Sequence, residues 1–231
     1  MSRKVYRYLY RAHLVSDNPP GFAEAVDAVQ EKSRELFAQG KSLVASMFRY
    51  KNMVFVYYES VGEELAPDAF FGAIRDYLLD WPGQDALRKW VLMTPAYYHA
   101  EPIDEDDWSR HIDTEKCVAR MAFLKPDGIT DYVRGHRALI NEGAHKGDKF
   151  TCIALHENIL FQYMEQREVV SNVKRDPDLP SQYYVIDPQN PKESMARFSD
   201  WLYPNGDPFA YLWPDGGRFN FIEKIFVIAK E

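Results

Sequence analysis

The feature that most constrains the fold is an internal repeat that spans about half of the chain. Gly21 and Gly128 lie 107 residues apart (128 − 21), and Gly40 and Gly147 keep the same spacing. Further identities recur 106 residues apart (158 − 52): Asn52, Phe55, Tyr57 and Glu59 correspond to Asn158, Phe161, Tyr163 and Glu165. This self-similarity indicates that one supersecondary unit occurs twice.

The hydrophobic pattern of each half predicts the order β-α-β-β-α-β. In the first half we predict strands at 5–14, 43–49, 53–59 and 90–98 and helices at 22–39 and 67–79. In the second half we predict strands at 116–125, 150–155, 159–165 and 219–229 and helices at 129–142 and 194–202. The expected fold class is therefore α+β, with two tandem ferredoxin-like units.

The domain organisation follows from this pattern. We expect a first unit at 1–100, an acidic linker at 101–114, and a second unit at 115–231 that carries the functional site. A ferredoxin-like unit leaves one apolar sheet face uncovered, so the two units are expected to bury these faces together as an intrachain α/β barrel. The proline-rich insert at 170–191 has no counterpart in the first half, which is typical of a lid or a partner contact.

Composition excludes several classes of partner. The chain has 231 residues, of which 46% are hydrophobic and 27% are charged, as expected of a soluble protein with a core. A net charge of −7 argues against a broad surface for nucleic acid or anionic membranes. No apolar run approaches the ~20 residues that span a bilayer, and the first residues do not resemble a signal peptide. We therefore expect a cytoplasmic protein, and homo-oligomerisation stays open.

The sequence offers little for a metal or a cofactor. Cys117 and Cys152 lie in apolar stretches and are expected to be buried thiols. None of the six histidines recurs with a carboxylate at metal-ligand spacing. Glycine-rich phosphate-binding motifs are absent. We therefore expect no metal and no cofactor.

The two halves differ most on the first helix of each unit. The predicted buried face in the second unit comprises Ile129, Tyr132, Val133, His136 and Ile140, and its counterpart comprises Phe22, Ala25, Val26, Val29 and Ser33. Tyr132 thus replaces Ala25, and His136 replaces Val29. A buried phenol and a buried imidazole need hydrogen-bond partners. Either they are satisfied within the core, or they belong to a functional site.

A family resemblance favours the second explanation. The segment Asp131-Tyr132-Val133-Arg134-Gly135-His136, followed by a strand and by residues 158–165, resembles the L-rhamnose mutarotase family. Members of that family are dimers of single ferredoxin-like units about half as long as this chain. The resemblance implies an isomerase of carbohydrate metabolism that interconverts sugar anomers by acid/base ring opening, without a cofactor.

The resemblance also implies roles for individual residues. His136 would be the catalytic proton donor, and Tyr132 would contact the sugar. Thr151 falls where the family has a substrate-contacting tyrosine. Phe198 and Trp201 fall at and just beyond the family's Arg-Trp-Trp motif. We therefore predict Thr151, Phe198 and Trp201 as substrate-binding residues, with a sugar-like small molecule as the ligand.

Two alternatives remain for the same fold. Haem proteins that resemble the chlorite dismutase family are tandem ferredoxin-like chains of similar length with a histidine ligand on a helix. His136 would be the axial ligand in that case. A small-ligand-binding protein without catalysis is the other alternative, because two aromatic contacts of the mutarotase family are missing here.

Overall fold

The computed structural model of the protein describes residues 2–141, 149–165 and 199–230. Contacts divide the chain into two compact units. The first unit comprises Met1–Thr94, Glu101–Ala119 and Ile222–Glu231, and the second comprises Pro95–Ala100 and Arg120–Phe221. Each unit is built around a five-stranded sheet with helices packed on it. The predicted α+β class is confirmed.

The first sheet has the strand order β10-β2-β3-β1-β4. Its strands are β1 (Val5–His13), β2 (Ser42–Tyr50), β3 (Met53–Val61), β4 (Val91–Leu92) and β10 (Glu223–Ala229). All neighbouring strands in this sheet are antiparallel. The central strand β3 is buried along its whole length, which accounts for its run of branched and aromatic residues.

Helix α1 (Phe22–Ala38) packs on one face of this sheet through residues at helical spacing. It begins directly after Gly21, whose φ of +79° favours glycine and where a Cβ would lie 2.8 Å from the Tyr77 hydroxyl. The predicted helix at 67–79 is divided into α2 (Asp68–Phe71) and a 3₁₀ helix, Gly72–Tyr77. The predicted linker contains a one-turn helix, α3 (Glu105–Trp108), within the first unit.

The second sheet has the strand order β5-β7-β8-β6-β9. Its strands are β5 (Thr94–Tyr98), β6 (Val118–Phe123), β7 (Cys152–His156), β8 (Ile159–Met164) and β9 (Asn220–Phe221). A 3₁₀ turn, Pro126–Gly128, leads into helix α4 (Ile129–Asn141). Residues 199–202 are helical. Within the described part of the chain, no helix has both the length and the apolar character that crossing a bilayer requires.

Both predicted closing strands are divided between the two sheets. The predicted strand at 90–98 forms β4, which pairs with β1, and then β5, which lies beside β7. The predicted strand at 219–229 forms β9, which pairs with β6, and then β10, which pairs with β2. A single buried residue separates the two parts in each case, Met93 and Ile222. Because the residues on both sides of each break are typical of strands, the hydrophobic pattern predicted one continuous strand.

The two sheets share one strand order. We number the five strands of each half from one to five, so that β6 is the counterpart of β1 and β10 is the counterpart of β5. Both sheets then have the strand order 5-2-3-1-4. In each sheet, strand 5 comes from the other half of the chain. The prediction of two self-contained units did not include this exchange of an outer strand. The tandem duplication itself, the domain boundaries and the intrachain barrel stay predictions. The insert at 170–191 and most of the predicted helix at 194–202 lie outside the described residues.

Candidate functional site

Helix α4 carries the two residues that the sequence singled out. Its buried face comprises Tyr132, Gly135, His136 and Leu139. The face is therefore rotated slightly from the predicted one, because Ile129, Val133 and Ile140 are only partly buried against the same core. Gly135 lies at the point of closest approach, where a Cβ would lie 2.5 Å from the Leu202 carbonyl oxygen. The small residue lets the helix pack against the chain at 202.

His136 is held by its own helix. Its side chain is buried, and Nδ1 lies 2.9 Å from the carbonyl oxygen of Tyr132. Since a carbonyl can only accept, Nδ1 carries the proton and donates. In the neutral ring Nε2 then carries the lone pair. The imidazole also stacks on the Tyr132 ring, with 3.9 Å between ring centroids.

The Tyr132 hydroxyl combines complete burial with unused hydrogen-bonding capacity among the described residues. Tyr132 is fully buried, and its hydroxyl has no hydrogen-bond partner in the described parts of the chain. Burial raises the pKa of Tyr132 well above its ordinary value, the neighbouring Tyr203 raises it further, and the positive charge of Arg120 opposes the rise. The group is thus a neutral phenol with its hydrogen-bonding capacity unused, a costly arrangement in a core.

Aromatic rings surround this pair. Tyr203 is stacked on Tyr132 with 6.1 Å between centroids, and Phe209 meets Tyr132 edge-on at 5.7 Å. Tyr97, from β5, meets His136 edge-on at 5.7 Å. The rings hold the phenol and the imidazole in fixed orientations through contacts at favourable aromatic distances.

Arg120 brings a positive charge to the same side of the sheet. It lies on β6 in the same alternation as Ala122 and Leu124, which pack in the α4 core. Its Nε donates to Gln162 Oε1 at 2.5 Å, and its guanidinium lies 4.5 Å from the Phe219 ring centroid. Burial lowers the pKa of Arg120, but a guanidinium stays protonated in proteins. No carboxylate forms an ion pair with Arg120 in the ranges that the structure describes.

Arg120 lines a cavity of about 420 Å³ within the second unit. The lining residues are Arg120, Asp207, Leu212, Gly216, Gly217, Arg218 and Phe219. Arg218 donates to Asp207 Oδ2 from Nη2 at 3.0 Å and from Nε at 3.1 Å. One of the two guanidinium groups is therefore already matched by a carboxylate, and the cavity keeps a net positive lining.

Matching hydrogen bonds relate positions of the two sheets. The Leu14 amide donates to the Asn52 carbonyl at 2.7 Å, and the Leu124 amide donates to the Asn158 carbonyl at 2.8 Å. The first strands thus correspond at an offset of 110 residues (124 − 14) and the hairpins at 106 (158 − 52). This correspondence allows the polar groups of the second unit to be compared with their counterparts.

The counterparts in the first unit are apolar or aromatic. Arg120 corresponds to Tyr10, which is stacked on Tyr58 at 6.1 Å. Gln162 corresponds to Val56, which is fully buried in the first core. Neither Arg120 nor Gln162 was predicted from the sequence as a site residue. The substitution of Val56 by Gln162 at the known offset was the available signal.

The other predicted site residues differ in their surroundings, and the structure does not describe all of them. Thr151 is buried, and its carbonyl accepts from the His99 amide at 3.2 Å. Trp201 packs, partly buried, against the same core cluster as Tyr132. Phe198 lies outside the described residues. Of the aromatic residues near the C-terminus, Tyr211 and Trp213 cluster with Phe123 at 5.3–6.3 Å. No group of three or more potential metal ligands occurs among the residues with described positions.

Comparisons with known proteins give structural neighbours only. No family model matches the chain, and no curated protein matches it. A putative monooxygenase from Lactobacillus acidophilus NCFM is 8% identical over 98% of this chain and 97% of its own, with a TM-score of 0.43. A putative monooxygenase from Fusobacterium nucleatum subsp. nucleatum is 11% identical over 100% and 96%, with a TM-score of 0.41. An anthrone oxidase-like protein is 10% identical over 100% and 96%, with a TM-score of 0.37.

These findings correct the family resemblance. These three neighbours are described as monooxygenases or as oxidase-like, and none as a mutarotase, so the resemblance to the L-rhamnose mutarotase family is wrong. The resemblance also implied an isomerase activity and a role in carbohydrate metabolism, and these predictions are wrong for the same reason. The motif misled for a physical reason. Bulky residues four apart on a helix and an apolar strand after a tight turn are what the core of an α+β sheet requires in general.

Proposed function

We propose that the protein binds a small organic molecule on the α4 side of its second sheet. The observation that carries this proposal is the Tyr132 hydroxyl, which is fully buried and has no partner in the described chain. A buried polar group without a hydrogen bond costs about 1–3 kcal/mol. A bound molecule that pairs with this hydroxyl would remove that cost.

The contrast between the two sheets supports the same conclusion. Where the first unit has Val29, Val56 and Tyr10, the second has His136, Gln162 and Arg120. Polar side chains in a core are retained at a cost in stability unless they are fully satisfied. Arg120 lines the cavity beside β6, and Gln162 accepts a hydrogen bond from it. A few polar groups that orient a ligand within apolar walls are typical of a binding site.

A fragment screen by saturation-transfer NMR tests this function. The panel contains aromatic and aliphatic fragments of neutral, anionic and cationic charge. We expect bound fragments whose signals weaken in Tyr132→Phe and persist in the control Tyr58→Phe, because the Tyr58 hydroxyl already donates to the Leu65 carbonyl at 2.7 Å. A panel without any bound fragment, or fragments indifferent to Tyr132→Phe, contradicts the proposal.

Haem binding is a second candidate, and the tautomer of His136 favours it. A neutral imidazole that donates through Nδ1 to a backbone carbonyl and carries its lone pair on Nε2 is the ligand that haem iron takes. Bound haem would supply one-electron and oxygen chemistry. Titration with haemin should then give a Soret band that His136→Ala abolishes and that the control His111→Ala, at an exposed position, retains. An unchanged haemin spectrum excludes this candidate.

A further inference from the structure

We infer that the molecule bound in the second unit is a flat aromatic carboxylate, held by Arg120 through its anionic group and by Phe219 through its ring. This inference rests on the proposed function and adds the chemical class of the ligand. It follows from the charge, the hydrogen-bonding geometry and the size of the cavity beside β6.

The charge of the cavity calls for an anion. Two guanidinium groups and one carboxylate line it, and the carboxylate of Asp207 is already bonded by Arg218. The partly buried Arg120 thus presents a cation without a counter-ion in the described chain. Because burial of an unpaired charge is costly, an anion gains more here than it would at an exposed arginine.

The geometry of Arg120 calls for a carboxylate in particular. The Nε of Arg120 donates a hydrogen bond to Gln162, whereas the two terminal nitrogens of Arg120 have no hydrogen-bond partner among the described residues. A guanidinium fork matches the two oxygens of a carboxylate. The contact with Phe219 at 4.5 Å and the bond to Gln162 hold the fork in place, so little side-chain entropy is lost when a ligand binds.

The remaining walls call for a flat ring. Phe219 and Leu212 contribute apolar surface, and Gly216 and Gly217 contribute none from side chains. A volume of about 420 Å³ lies near the lower end of ligand pockets, which span about 300–1,000 Å³. The cavity therefore suits an acid with one or two fused rings, with its ring against Phe219.

Calorimetric titration with two matched probes tests the inference. 2-Naphthoate carries the carboxylate, and 2-naphthamide has nearly the same shape without the charge. We expect 2-naphthoate to bind about ten- to a hundredfold tighter to the wild-type protein, as a charge-assisted pair predicts. This comparison needs no variant and stays informative if a substitution at Arg120 perturbs folding.

Variants then assign the effect to Arg120. Arg120→Gln should abolish the preference for 2-naphthoate, and Arg120→Lys should keep only part of it, because an ammonium cannot form the bidentate contact. Arg34→Gln, on the exposed face of α1, is the matched control and should change nothing. Circular dichroism reports whether each variant is folded.

The outcomes separate this inference from the proposed function. Equal affinity for the two probes, with both lost in Tyr132→Phe, overturns the carboxylate class and leaves the site. A preference for 2-naphthoate that folded Arg120→Gln retains overturns the role of Arg120. Absence of binding by either probe, together with an empty fragment screen, overturns the proposed function itself.

Discussion

Single residues in this protein bury polar groups in two opposite ways. In the first unit the carboxylate of Glu59 is fully buried, and four donors surround it. Arg110 donates through Nη1 and Nη2 at 2.8 Å, Trp108 Nε1 donates at 2.8 Å, and the Tyr57 hydroxyl donates as well. In the second unit the Tyr132 hydroxyl has no such partner in the described chain. The first arrangement holds a charge in place, and the second leaves hydrogen-bonding capacity for another molecule.

Removing the Tyr132 hydroxyl should not destabilise the ligand-free protein. Tyr132→Phe deletes a buried group without a partner, so we expect the free energy of unfolding to stay level or to rise by up to about 1 kcal/mol. Urea unfolding followed by circular dichroism measures it. Tyr58→Phe is the control. It breaks the bond to the Leu65 carbonyl and should lose about 1 kcal/mol. A loss of that size in Tyr132→Phe would show that its hydroxyl is satisfied after all.

Breaking the Glu59 network should be costly. Arg110→Met leaves the buried carboxylate of Glu59 without its cation, and we expect a loss of about 3–5 kcal/mol in the free energy of unfolding. Arg34→Met removes an exposed ion pair with Glu31 and should cost less than about 0.5 kcal/mol. Urea unfolding of both variants checks the difference. Similar small losses in the two variants would mean that the Glu59 carboxylate does not depend on Arg110 for its stabilisation.

At the level of elements, helix α4 depends on its one glycine. Alanine is normally favoured over glycine in a helix by about 1 kcal/mol. At Gly135, however, a Cβ would lie 2.5 Å from the Leu202 carbonyl oxygen and 2.9 Å from its Cδ1. We therefore expect Gly135→Ala to destabilise the protein by about 1–3 kcal/mol. Thermal and urea unfolding measure the effect.

Gly72 provides the control for this prediction. It has helical backbone angles (φ −59°, ψ −32°), and nothing lies within 4 Å of a Cβ placed there. Gly72→Ala should leave stability unchanged or raise it slightly. If Gly135→Ala behaves like Gly72→Ala, then α4 does not pack closely against residue 202.

Local elements could be predicted well from the sequence because their signals are local. Both hairpins turn at an asparagine preceded by a left-handed residue, Lys51 or Glu157, each with φ of +55°. The helices at 22–38 and 129–141 follow from apolar spacing. The division of the two closing strands at Met93 and Ile222 could not be predicted, because the partner of a strand depends on tertiary pairing rather than on its own residues.

The candidate site was predictable in part, for the same reason. The spacing on α4 placed Tyr132 and His136 on the buried face. Arg120 was not predicted because its counterpart, Tyr10, lies at an offset of 110 residues, as in the other positions of the first strands (124 − 14). The repeat was recognised from the hairpins, which correspond at an offset of 106 residues (158 − 52). Its meeting with Phe219, nearly a hundred residues later, is a feature of the folded chain alone.

At the level of the whole molecule, the last strand in sequence completes the first sheet. Strand β10 pairs with β2 along Glu223–Ala229. Removing residues 223–231 should therefore expose β2 (Ser42–Tyr50) rather than a strand of the second sheet. Hydrogen exchange with mass spectrometry should show lost protection in β2 and retained protection in β8 (Ile159–Met164). Loss confined to the second sheet would contradict the strand pairing.

The division of the closing strands also bears on how the chain matures during synthesis. Ribosomes extend a chain by about 5–20 residues per second, so β10 emerges on the order of ten seconds after β4. Until then β2 presents the unpaired edge of an otherwise complete sheet, the kind of edge that recruits strands from other molecules. The first sheet is thus completed only when β10, more than a hundred residues after β4, has been synthesised.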